Sequence, residues 1–191
     1  MKNIIVYNTL VYNNFFCITF RNSVTKKQSA CYVLDDNESN TSMLPKIINS
    51  CTLIGYGNNS FDDLILNYIF HNKEIYIREI VELSRAIMKQ KETTNELWRN
   101  INLSFYTNGY VNSFDLTETS NIESIDKFND NIILKGDLDN ILLTNTSYVS
   151  KIDNALDRLK SALNDGFISS SKINITKETI RRNYIKNIIG L

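Results

Sequence analysis

The sequence predicts a mixed α/β (α+β) domain: a three-strand antiparallel meander, a fourth strand running straight into a helix, and further helices towards the C-terminus. Three observations carry this. Residues 3–8, 14–20 and 29–34 are short runs rich in aromatic and β-branched types, separated by polar links. Residues 53–70, LIGYGNNSFDDLILNYIF, pack an apolar strand, a glycine-punctuated turn and an amphipathic helix into one stretch. Beyond residue 75, apolar residues recur at three- to four-residue spacing in three further runs.

In chain order, Thr9–Asn13 reads as the turn after the first strand, and residues 21–28, with Lys26 and Lys27, as a hairpin loop. The polar stretch 35–46 holds the only proline, Pro45, and reads as a loop with no more than a short helical turn. Residues 51–56 form the fourth strand. A helix follows from Phe61 to about Asn72, with Leu64, Ile65, Tyr68 and Ile69 on one face, and a second from about Ile75 to Lys91. Asn108-Gly109 marks a hairpin, followed by a strand ending near Asp115. Residues 118–140 are acidic and polar, with a short strand at Ile132–Leu134. A long helix runs from about Tyr148 to Leu163 with Gly166 as its stop. A last helix, from about Lys177 to Ile189, starts behind Thr176. The chain thus divides into a core, 1–117, and a segment 118–191 of acidic chain and two helices, packed on the same domain.

Composition narrows the function. The 191 residues are 42% hydrophobic and 22% charged, with a formal net charge of zero. That suits a globular chain and gives no global support to nucleic-acid binding. Cys17, Cys31 and Cys51 sit in apolar, strand-like runs without CxxC spacing, so buried reduced thiols are expected. The single histidine, His71, falls at a helix end, where a cationic group favours the macrodipole. A zinc site of His/Cys type is not expected. Neither a signal peptide nor a membrane span is visible, so the expected location is cytoplasmic. Trp98 reads as a packing anchor. The richness in Asn, Ile and Lys is associated with AT-rich genomes, such as those of phages of low-GC bacteria.

Asp62 and Asp63 stand where the helix after the fourth strand begins. On their chemistry alone they read as first-turn acids that offset the macrodipole and cap orphan N–H groups. The run Asn58-x-x-Phe61-Asp62 also resembles the second motif of the DEDD 3′-5′ exonucleases. The longer GYGNNSFDDLILNYI is similar to the form in phage DNA-polymerase exonuclease domains. That resemblance implies an RNase H-like fold, in which four carboxylates hold two divalent metals that cleave a terminal phosphodiester. It covers residues 4–90 well, 100–117 weakly and the C-terminal third hardly.

The family's first-strand Asp-x-Glu falls on Tyr7-Asn8-Thr9-Leu10-Val11-Tyr12. Asn8 stands where the Asp belongs and Leu10 where the Glu belongs. The final Tyr-x-x-x-Asp is missing: Tyr148 is followed at that spacing by Ile152, with Asp153 one residue out, and Tyr184 by Ile188. Only Asp62 is retained, and one carboxylate cannot hold two metals.

The resemblance with its losses implies a catalytically inactive exonuclease-like protein, viral or phage-borne. Such a protein would have no metal or other cofactor and would act in the host cytoplasm by binding a host protein or complex, such as a defence nuclease. A first alternative is a single-stranded nucleic-acid binder, with Asn58, Phe61, Arg181, Arg182 and Lys186 as contact residues. A second is a working nuclease using Mg²⁺ or Mn²⁺ on rearranged ligands: Asp62, Asp63, Asp115 and Asp153.

Overall fold

A computed structural model describes residues 3–35, 38–57, 61–72, 75–92, 113–117 and 120–164. Within them the chain forms an α+β domain around a mixed sheet of seven strands: β1 Asn3–Tyr12, β2 Phe15–Asn22, β3 Gln28–Leu34, β4 Glu38–Ser39, β5 Cys51–Gly55, β6 Ser113–Asp115 and β7 Phe128–Asn129. The sheet order is β4-β3-β2-β1-β5-β6, with β7 also beside β1. The first four strands are antiparallel neighbours in sequence order. β5 runs parallel to β1, β6 parallel to β5, and β7 parallel to β1.

Four α-helices are described: α1 Leu44–Ser50, α2 Asp62–His71, α3 Ile77–Glu92 and α4 Leu138–Asn164. They cover the sheet from both sides, and strand alternation decides which residue meets which layer. Tyr7 and Val11 of β1, with Phe16, Ile18 and Phe20 of β2, join the core beneath α1–α3. Val6 and Leu10, with Phe15 and Cys17, point the other way, into two clusters shared with α4 and the chain leading to it. α2 and α3 are tied by the Tyr68 hydroxyl, which donates to Glu79. Phe61, Leu66 and Ile80 are fully buried, as the apolar spacing requires. Among the described residues no helix is long and apolar enough to cross a membrane.

Several expectations are corrected. Thr9–Asn13 is not a turn: β1 continues to Tyr12, and the hairpin turns at Asn13-Asn14, with Tyr12 paired to Phe15. Two side-chain amides suit so tight a connection, whereas Leu10 and Val11 have core to reach. The loop at 35–46 ends in a helix, α1, that runs on to Ser50, with Pro45 in its first turn, where the missing N–H costs nothing. Ile132–Leu134 is not a strand. The strand is β7, a few residues earlier, and the Asn14 side chain instead brackets Ile133, accepting from its N–H at 2.7 Å and donating to its carbonyl at 3.0 Å. α4 begins ten residues before Tyr148, at Leu138, behind a 3₁₀ turn at Lys135–Asp137. The Asn108-Gly109 hairpin, Trp98, the Gly166 stop and the helix 177–189 lie outside the described residues. All three cysteines are buried and unbridged.

A polar pin fixes α4 on the sheet. Asp153, fully buried, accepts from Arg21 Nε at 2.7 Å and from Lys26 Nζ at 2.9 Å, and Lys26 also reaches Asp157 at 2.7 Å. A buried carboxylate that loses such a partner is strongly destabilising. The double variant Arg21→Met/Lys26→Met, which leaves Asp153 buried without either cation, is therefore expected to lower stability by about 3 kcal/mol in urea unfolding. Arg78→Met, which breaks only the exposed Arg78–Glu82 pair at 3.1 Å, is expected to cost less than about 1 kcal/mol. Equal effects would remove the pin from the account of how α4 is held.

Candidate functional site

The site lies where the edge of β1 changes partner. β5 pairs with β1 only as far as Val6, and β7 takes up the same edge at Val11. Thr9 falls in the interval, with its backbone N–H directed out of the sheet edge. Asp62, the first residue of α2, fills the gap: its Oδ1 accepts from the Thr9 N–H at 3.0 Å and also from the Thr9 hydroxyl. Its Oδ2 is ion-paired with Lys127, which also donates to the Tyr56 carbonyl at 2.8 Å. Asp62 is 1% exposed. The Lys127 carbonyl accepts from the Val11 N–H at 2.8 Å, so the lysine is held by its backbone as well as its charge.

Asp63 reaches in the other direction. It accepts from the Tyr7 hydroxyl on β1 and from the Ser113 hydroxyl on β6, the latter at 2.5 Å. Asp115, at the end of β6, accepts from the Gly57 N–H at 3.0 Å and the Thr117 N–H at 2.9 Å. Gly57 sits at φ +63°, a left-handed turn that glycine adopts without strain, and its open face lies towards the Lys127 ammonium. The capping role expected of Asp62 and Asp63 is corrected accordingly. The N-cap of α2 is Phe61, with no side-chain cap. Both acids remain in the first turn, favourable to the helix dipole, but spend hydrogen bonds on the sheet.

Asn8 and Leu10 are not brought to Asp62. Strand alternation turns both towards α4, while Thr9 between them faces the carboxylate. Asn8 is fully buried and donates to Asn145 Oδ1 of α4 at 2.9 Å, and Asn145 Nδ2 returns a bond to the Asn8 carbonyl at 3.2 Å. Leu10 belongs to the cluster with Phe15, Cys17 and Leu138. Phe61, expected as a nucleic-acid contact, is fully buried in the helix-side core and offers no ring face to a ligand. Asp153 is committed to Arg21 and Lys26 on the α4 face, so it does not join Asp62, Asp63 and Asp115 as a fourth ligand. Asn58, Arg181, Arg182 and Lys186 lie outside the described residues. Among the described residues no group of three or more His, Cys, Asp and Glu side chains is placed to hold a metal ion.

Thr9, Tyr56, Lys127 and Tyr148 were not singled out from the sequence as site residues. Tyr148, on α4, is 2% exposed. Its phenol is pushed up to about 12, first by burial, then by the nearby Tyr56 and Asp62; the Ile125 backbone acts the other way, and Asp115 adds a little. Cys17, beneath Asn145, is likewise pushed up to about 12 by burial, against hydrogen bonds from Asn145 and the Leu10 backbone. A thiol so placed is not a nucleophile at neutral pH.

Comparison of the chain with family models, with curated proteins and with solved structures returned no match.

Two outcomes follow from this geometry. Lys127→Met leaves Asp62 buried without its counter-charge, and about 3 kcal/mol of stability is expected to be lost. In the double variant Lys127→Met/Asp62→Asn the loss should fall short of the sum of the singles by more than about 1 kcal/mol, the sign of direct coupling. Additive losses in a chemical-denaturation cycle would dissociate the two side chains. The second outcome concerns alkali. The folded Tyr148 and Cys17 ionise near pH 12, above their ordinary values of 10.0 and 9.0. The unfolded chain therefore gives up these protons first. Stability is full below about pH 9 and declines as pH rises towards 12. Melting temperature should fall between about pH 9 and pH 12, and Tyr148→Phe should flatten the part above about pH 10. An unchanged slope would remove the phenol from this linkage.

Proposed function

We propose that this chain is a catalytically inactive, RNase H-like relative of the DEDD exonucleases that acts by binding, with a host protein or complex as its partner. Two features support the fold part of this reading. The antiparallel β1–β2–β3 meander sits beside parallel β5 and β6, and α2 follows β5 directly, the arrangement that the family resemblance implies. Helices also cover both faces of the sheet.

The observation that carries the loss of chemistry is the commitment of Asp62. Two-metal cleavage needs several carboxylates open to cations and to water. Asp62 is instead closed in, with one oxygen on Thr9 and the other on Lys127. The neighbouring strand offers Thr9 to it, while Asn8 and Leu10 face the opposite layer. An ammonium group neutralises the carboxylate but provides no coordination position for an attacking water.

The test is a cleavage assay on end-labelled single-stranded DNA and RNA in Mg²⁺ or Mn²⁺, run beside calorimetric titration of each metal. The expected result is intact substrate with no saturable metal heat. Metal-dependent shortening from the 3′ end that disappears in Asp62→Ala would overturn the inactive reading and restore the nuclease alternative.

A further inference from the structure

No further inference is drawn: the strongest candidate, the exposed apolar side chains Ile132, Leu134 and Leu143 on the segment leading into α4 and on its first turns, carries nothing because the structure does not show what covers them.

Discussion

The structure depends on how one buried edge of β1 is satisfied. Between the end of β5 and the start of β7, the Thr9 N–H has no strand to pair with. An orphaned buried amide costs about 1–3 kcal/mol, so something must meet it, and Asp62 does. That solution creates a second demand, because a buried carboxylate costs several kcal/mol unless it is paired. Lys127 answers it, and the lysine's own carbonyl completes the ladder at Val11. The sheet edge, the start of α2 and the segment entering β7 are therefore coupled through one carboxylate. None of the three elements can be shifted without exposing an unpaired group on another.

The opposite face is organised by a similar rule. α4 has 27 residues, about 40 Å at 1.5 Å per residue, and its apolar stripe alone leaves its register on the sheet loosely defined. Val149, Ile152 and Leu156 pack in the cluster with Val6 and Ile54, and apolar contact is non-directional. The polar pairs are directional, and a slide of one turn would break them. Such a shift would part Asn145 from Asn8 and Asp153 from Arg21, leaving buried amides and a buried charge unanswered. Apolar burial brings the helix to the sheet; two polar pins, one near Asn8 and one near Arg21, set where it stops.

These same polar devices explain what was legible in the sequence. The meander, the strand into α2, and α3 follow apolar periodicity, and periodicity shows in one dimension. Asn8 and Thr9 are polar residues inside a ten-residue strand, and from sequence the strand reads as ending at Asn8 with a turn from Thr9, because their partners, Asn145 and Asp62, are distant in sequence. The early turns of α4 were hidden for a related reason: Thr144, Asn145 and Thr146 interrupt the stripe, yet Asn145 is fully buried because Asn8 waits for it. β7 has two residues, too few to display any period. The acidic character of 118–139 was plain, but the single residue there that matters most to the site is a lysine.

The candidate site was legible as a place and not as a constellation. A motif gives spacing along the chain, and Asp62 does stand at the helix start that its spacing implied. Spacing does not say which face of β1 looks at it. The alternation of a strand puts Thr9 before the carboxylate and sends Asn8 and Leu10 to the other layer, so judging the first-strand positions by their acids alone missed the residue in contact. Retention of a carboxylate is likewise no mark of metal chemistry, because a buried Asp needs a positive partner of some kind and a tethered ammonium serves as well as a divalent ion. The two partners differ in what they permit. A metal keeps open positions and acidifies bound water, whereas a lysine ammonium is a saturated point charge with only protons to donate. Under the reading proposed here, exchange of the first for the second keeps the electrostatic support on which α2 and β1 rely and gives up the hydrolysis. A scaffold can then persist after its chemistry is gone, because the carboxylate continues to be required by the fold.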